Sequence, residues 1–135
     1  MSAVLIDANV LIDIIDGDEA WSEWSSAAVA DVLARGRAVI NPVIYAEVSM
    51  RLSSIELADE AMPEAIYARE AIPFQAAFLA GKVFHAYRRR GGRKTAPLPD
   101  FFIGAHAAVA GHALLTRDPR PYRRDFPKLR LIAPT

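Results

Sequence analysis

Ala3-Val4-Leu5-Ile6-Asp7-Ala8-Asn9-Val10-Leu11 is the stretch on which the fold turns. Its first four residues are wholly apolar and partly β-branched, the composition of a central strand covered on both faces. The run stops at Asp7, and Asn9 to Ile15 carries apolar residues at helical spacing, so a buried strand passes almost directly into a helix. Outward from there the alternation repeats. Glu19 to Ala34 reads as a second helix, with Trp21, Trp24, Ala28 and Val32 at helical spacing and Gly36 as its stop. Ala38-Val39-Ile40 is the next strand, and Asn41-Pro42 supplies an N-cap and first-turn residue for a helix that carries Glu47. Ile55 to Met62 is helical, Ile66 to Ala68 is a short edge strand, and Pro73 opens a long helix with Phe74, Phe78, Phe84 and Tyr87 among its apolar positions. That helix ends at Arg88-Arg89-Arg90-Gly91-Gly92. After a basic, glycine-rich loop to Pro97, Leu98-Pro99-Asp100 starts a helix that runs to Gly111. Ala113-Leu114-Leu115 is a buried strand, Asp118-Pro119 a turn, and Leu129 to Ile132 the last strand. Strands alternating with helices predict an α/β layered fold around a mostly parallel, five-stranded sheet.

At 135 residues the chain suits one domain, residues 1–135, which must then carry any chemistry itself. With 53% hydrophobic and 24% charged residues the composition is globular and not that of a disordered chain. There is no cysteine, which excludes disulfides, thiolate zinc sites and thiol catalysis. No basic segment followed by a long apolar stretch opens the chain, and no run approaches the roughly 18 apolar residues of a membrane span, so a soluble, cytoplasmic protein without membrane association is expected. The net charge of zero hides a polar distribution. Residues 1–75 hold 13 acidic and 4 basic side chains, a balance of −9, whereas residues 76–135 hold 3 acidic and 12 basic, a balance of +9. The second half can meet phosphate; mutual attraction of the halves, or ordinary solvated faces, would give the same split.

In an open α/β sheet, ligands sit beyond the carboxyl ends of the strands, where strand order reverses. Asp7 and Asp118 each fall within a few residues of the end of an apolar strand, and Asp100 sits in the first turn of the helix that feeds the second of those strands. Glu47 lies on the helix after the 38–40 strand, placed so that its longer side chain can aim at the same edge. Each acid also has a purely structural explanation: Asp7 as a helix cap, Asp100 as a helix N-terminal acid, Asp118 as an Asp-Pro turn residue and Glu47 as a surface glutamate. Convergence changes the balance. Two carboxylates about 4 Å apart repel by roughly 4 kcal/mol at an effective dielectric of about 20, a cost that a divalent cation removes. Oxygen ligands without cysteine or paired histidines point to Mg²⁺ or Mn²⁺ and away from zinc. Such ions activate water and polarise phosphodiesters, chemistry that nucleases share with phosphatases and phosphotransferases.

Four segments together resemble the PIN-domain family and, within it, the VapC-type toxins of bacterial toxin–antitoxin pairs. They are Leu5-Ile6-Asp7-Ala8-Asn9-Val10-Leu11, Tyr45-Ala46-Glu47-Val48, Leu98-Pro99-Asp100-Phe101-Phe102-Ile103-Gly104-Ala105-His106-Ala107 and Leu115-Thr116-Arg117-Asp118-Pro119. Any one tetrapeptide is weak; four in order at family-like spacing, spread over nearly the whole chain, are strong. The resemblance implies a three-layer α/β/α sandwich with strand order 3-2-1-4-5. It also implies metal-dependent endonucleolytic cleavage of structured RNA, inhibition by a small cognate antitoxin, and a homodimer. On it, Asp7, Glu47, Asp100 and Asp118 are the acidic metal-site residues, with Asp7 and Asp100 the firmest ligands, and Asn9 and Thr116 are polar supports. The segment Arg51 to Ile72 has no matching signature.

Around the acids, Arg88, Arg89, Arg90, Arg93, Lys94, Arg117, Arg120, Arg123 and Arg124 could form a phosphate-gripping rim. Arg88 to Arg90 also suit a helix C-terminus, which favours cations, so Arg93, Lys94 and Arg117 are the better substrate candidates. Trp21 and Trp24 are read as core packing, with an antitoxin groove as the alternative. His85, His106 and His112 show no metal-ligand spacing and are read as structural. Two other functions fit the acids. An aspartate-based phosphatase or phosphotransferase would also place an Asp after the first strand, but with a second Asp two residues on, where this chain has Asn9. A non-catalytic RNA- or protein-binding module could keep the fold without the chemistry.

Overall fold

A computed structural model describes residues 3–93 and 98–135. The most apolar strand takes the middle of the sheet, as its composition demands. β1 (Ala3–Ile6) lies between β2 (Arg37–Ile40) and β4 (Ala113–Leu115), with Leu5 in register with both Val39 and Leu114. Leu5, Ile6, Val39 and Leu114 are all fully buried. β3 (Tyr67–Arg69) and β5 (Leu131–Ile132) close the two edges, giving the order β3-β2-β1-β4-β5 with every pairing parallel. The chain builds outward from β1 to β3, then returns to the other side of β1. The reversal falls between β1 and β4, which is where such sheets open a crevice at the strand carboxyl ends.

Right-handed crossovers put α1 (Ala8–Asp16), α2 (Ser22–Arg35), α3 (Pro42–Ser49) and α4 (Ile55–Ala61) on one face. The same rule puts α5 (Phe74–Arg89), α6 (Leu98–Ala110) and α7 (Arg120–Asp125) on the other, so the three-layer sandwich is realised. Helix ends follow local chemistry. Gly17 ends α1 in the left-handed region, at φ 63°, where its amide caps the Asp13 and Ile14 carbonyls. The Asn41 side chain accepts from the Ile44 amide at 2.9 Å and caps α3, with Pro42 in the first turn. Among the described residues no helix is long and apolar enough to cross a membrane.

The sheet is wholly parallel, in line with the expected mostly parallel one. Individual elements depart from the sequence reading. β3 sits one residue later than expected, because Tyr67 is the side chain that goes into the core and Ile66 stays exposed. α2 starts at Ser22, not Glu19, since Asp18 Oδ1 accepts from the Ala20 and Trp21 amides and holds that segment as a turn; its buried face is Ser25, Val29 and Val32. In α5 the small residues Ala76 and Ala80 are buried, while Phe74 is 92% and Phe78 68% exposed. The helix α7 was not foreseen at all. Pro121 in its first turn was the available signal, masked by the charged run that follows.

Candidate active site

The acids meet at the β1/β4 crevice. Asp7 leaves the end of β1 with its backbone amide donating to the Leu115 carbonyl at 2.9 Å, and it is 4% exposed. Asn9, in the first turn of α1, is oriented from outside the site. Its Oδ1 accepts from the Arg117 backbone amide at 3.1 Å, which turns its Nδ2 toward Thr116 Oγ1 at 3.2 Å and, more loosely, Asp7 Oδ2 at 3.5 Å. Thr116 follows β4 and is fully buried. Its hydroxyl accepts from Asn9 and from the Asp118 amide (3.1 Å), which uses both lone pairs and leaves its single proton for Asp7 Oδ2 at 2.8 Å.

Tyr122 completes the centre. Its hydroxyl lies 2.8 Å from Asp7 Oδ2 and 3.4 Å from Asp100 Oδ1, so one side chain from α7 reaches an acid after β1 and an acid on α6. The seating of α7 depends on Gly104. A Cβ there would lie 2.4 Å from the Phe126 ring, so the absent side chain is what lets the end of α7 press onto α6. Tyr122 was missed in the sequence because α7 was.

The electrostatics reflect crowding. Burial is the largest influence on Asp7 and raises its pKa, against the lowering effect of its bonds from Tyr122, Thr116 and the Ala8 amide. Burial, then the charges of Asp7 and Asp100, push Glu47 up to about 7. Burial, then Asp7 and Asp118, push Asp100 up to about 6, with the Tyr122 bond opposing them. Three carboxyls thus share one poorly hydrated space and resist full ionisation. The fourth stands further out: the Asp118 side chain is 40% exposed and accepts from Arg120 Nε at 3.1 Å. An all-oxygen donor set that is costly to ionise alone fits a hard divalent cation such as Mg²⁺ or Mn²⁺, which would offset the repulsion.

The basic candidates divide. Arg117 is partly committed within the protein, its Nε donating at 2.8 Å to Asp13, which is itself 2% exposed and also receives the Ser25 hydroxyl at 2.9 Å. The Arg117 guanidinium also sits 5.6 Å from the Trp21 ring, which meets Trp24 edge-on; Trp24 packs against the core, and Trp21 serves Arg117 instead. Arg93 is exposed, and Lys94 lies outside the described residues. Arg90 and Arg124 both pair with Asp125 at 2.9 Å, and Arg120 with Asp118, so much of the expected rim is engaged in ion pairs.

The histidines form a separate cluster that spacing did not announce. His106 Nε2 and His112 Nε2 lie 3.1 and 2.8 Å from the same Glu70 oxygen, a grouping that could in principle hold a metal ion. The surroundings of His106 argue against it. Because Asn41 Oδ1 is used by the Ile44 amide, its Nδ2 must donate to His106 Nδ1 at 2.9 Å, which fixes the ring proton on Nε2. A histidine bound to metal through Nε2 needs Nδ1 protonated and facing an acceptor, and here it faces a donor. His106 and His112 therefore act as hydrogen-bond donors to Glu70, and His85 is exposed on α5.

A family model for the PIN domain matches residues 4–127. No significant match is found among curated proteins. Solved structures similar to this chain include VapBC2 from Rickettsia felis bound to a DNA fragment from its promoter, with 14% identity, 98% of this chain and 99% of that one covered, and a TM-score of 0.76. VapBC-1 from nontypeable Haemophilus influenzae aligns at 18% identity, with 97% of each chain covered and a TM-score of 0.73. VapC20 of Mycobacterium tuberculosis, described as a sarcin-ricin loop cleaving toxin, aligns at 13% identity over 81% of this chain and 84% of that one, with a TM-score of 0.56. At these identities the likeness is one of fold.

Proposed function

The chain belongs to the PIN domain family, and from that premise we propose that it is a metal-dependent endoribonuclease, the toxin of a VapC-type toxin–antitoxin pair. The observation that carries this reading is the convergence of Asp7, Asp100 and Glu47 at the strand-reversal crevice, each hindered from ionising by burial and by its neighbours. Asp7 and Asp100 are the direct ligands of Mg²⁺ or Mn²⁺, Glu47 is a ligand or the group that orients the attacking water, and the more exposed Asp118 contributes from the rim. Asn9 and Thr116 hold Asp7 in place. A divalent ion held by these acids would supply Lewis-acid chemistry, polarising water and offsetting charge on the phosphodiester.

The protein's own residues then shape what reaches that centre. Arg93 and Lys94 follow α5 in the basic half of the chain and serve RNA phosphates, and Arg117 contributes whatever part of its guanidinium Asp13 leaves free. The similarity of fold to VapBC structures supports a cognate antitoxin as the protein partner, and the reading includes a cytoplasmic homodimer. The purified protein is expected to cut structured RNA with Mg²⁺ or Mn²⁺, to stop in excess EDTA, and to lose at least about 100-fold in rate as Asp7→Asn. Undiminished cleavage in EDTA refutes the mechanism. Turnover of phosphate monoesters without RNA cleavage would instead support an aspartate-based phosphatase, and metal-free RNA binding that survives amide replacement of all four acids would support a non-catalytic module.

A further inference from the structure

We propose that Tyr122 is a positioning residue for the candidate metal centre, one that decides which oxygen of Asp7 is offered to the cation; the inference rests on the metal-site reading above. Two hydroxyls, from Tyr122 and Thr116, each lie 2.8 Å from the same atom, Asp7 Oδ2. A carboxylate oxygen has two in-plane lone pairs, so two short hydroxyl bonds saturate it. Oδ1 receives no side-chain donor among the described residues, so even where the Ala8 amide bonds to it one lone pair stays open for a cation. The phenol carries one proton and cannot donate to both acids at once. The 2.8 Å contact with Asp7, against 3.4 Å to Asp100, directs that proton to Asp7.

Without Tyr122 the carboxylate would keep one short hydroxyl bond, from Thr116, beside the Ala8 amide and the long Asn9 contact, and would be held less firmly. With Tyr122 2% exposed and anchored on a helix whose end is clamped against Gly104, the second bond comes from a rigid direction. The arrangement matches the general behaviour of groups that orient metal ligands, whose loss weakens metal binding without removing a ligand.

The test compares Tyr122→Phe, Tyr122→Leu, Asp7→Asn and the unaltered chain, using Mn²⁺ alone as the probe. Mn²⁺ affinity is read by titration and by the Mn²⁺ midpoint of RNA cleavage, and thermal unfolding is followed in EDTA. Tyr122→Phe is expected to weaken Mn²⁺ binding by about 10- to 100-fold. The cleavage midpoint should rise by the same factor, the rate at saturating Mn²⁺ should stay near that of the unaltered chain, and the unfolding temperature in EDTA should hardly move. Tyr122→Leu, which also removes the ring, should repeat the Mn²⁺ shift and add a loss of thermal stability. Unchanged Mn²⁺ affinity in Tyr122→Phe, with Asp7→Asn losing it, overturns the positioning role and leaves the metal site standing. Unchanged affinity in Asp7→Asn overturns the metal-site reading and this inference with it. A Tyr122→Phe protein that loses thermal stability in EDTA without a shift in Mn²⁺ midpoint assigns the hydroxyl to structure alone and also overturns the proposal.

Discussion

Glu47→Gln should make the metal-free protein more stable while impairing its function. Glu47 is half-buried, and its pKa stands at about 7 in the folded chain against an ordinary 4.5. At about 1.4 kcal/mol per tenfold change in proton affinity, that rise corresponds to about 3 kcal/mol, and solvent screening at a partly exposed position brings it nearer to about 2 kcal/mol. The sign follows from proton binding. Between pH 4.5 and about 7 the folded state keeps a proton that the unfolded state has released, so stability falls as pH rises through that window and is level beyond it. Glutamine carries no such penalty. Urea unfolding in EDTA, followed by tryptophan fluorescence, is therefore expected to show Glu47→Gln more stable than the unaltered chain by about 2 kcal/mol at pH 8 and by less than about 0.5 kcal/mol at pH 4.5. Excess Mn²⁺ should invert the ranking, because a ligand at about 100 times its Kd adds about 2.7 kcal/mol to the form that binds it. A variant no more stable than the parent at pH 8 in EDTA, or one with the same gain at both pH values, refutes the argument that crowded carboxylates strain the metal-free site.

Cleavage at limiting Mn²⁺ should rise with pH as Asp100 and Glu47 lose their protons near 6 and 7, and saturating Mn²⁺ should move the rise to lower pH by competing with the proton; a flat profile at limiting Mn²⁺ contradicts this. Gly104→Ala should force the Phe126 ring aside, lowering stability by about 1–3 kcal/mol in urea unfolding and raising the Mn²⁺ midpoint through Tyr122, whereas a neutral result means that α7 does not depend on that close approach. Arg117→Ala leaves Asp13 buried with only the Ser25 hydroxyl and should cost about 3 kcal/mol in unfolding even without RNA; an effect on RNA cleavage alone would assign Arg117 wholly to substrate. Nitrogen chemical shifts of His106 should report the Nε2–H tautomer, and an Nδ1–H tautomer would undo the case against metal at the Glu70 cluster.

The predicted changes share one physical origin. The crevice concentrates buried acids because strand order reverses there, and the interior they occupy solvates charge poorly. Stability is given up at the site and recovered in the core, where Leu5, Ile6, Val10, Ile40, Ile44, Ile103 and Leu115 are buried. Glu47→Gln and Gly104→Ala probe the two sides of that arrangement, the first by relieving the crowding and the second by loosening the helix that brings Tyr122 to it.

Some of this was legible in the chain itself. A short, partly β-branched apolar run that stops at Asp7 has the composition of a strand buried on both faces, and its alternation with helical segments points to a mostly parallel α/β sheet. The same local signals fixed the Asn41-Pro42 helix start and set Asp7 and Thr116 just past the ends of strands. Burial of one particular face was not legible. Periodicity marks apolar positions without saying which neighbour covers them, so Phe74 and Phe78 stand among the apolar positions of α5 yet face solvent. Three-dimensional proximity was not legible either. Tyr122 stands 115 positions from Asp7, and Glu70 stands 36 from His106 and 42 from His112, so no spacing rule links them. Hydrogen-bond direction belongs to the tertiary structure for the same reason: a donor's partner is chosen by what else already occupies it, as Ile44 decides for Asn41 and Arg117 for Asn9. Sequence determined that Asp7, Asn9 and Thr116 stand at the edge of the sheet, and the fold brought Tyr122 to them and decided how each is held there.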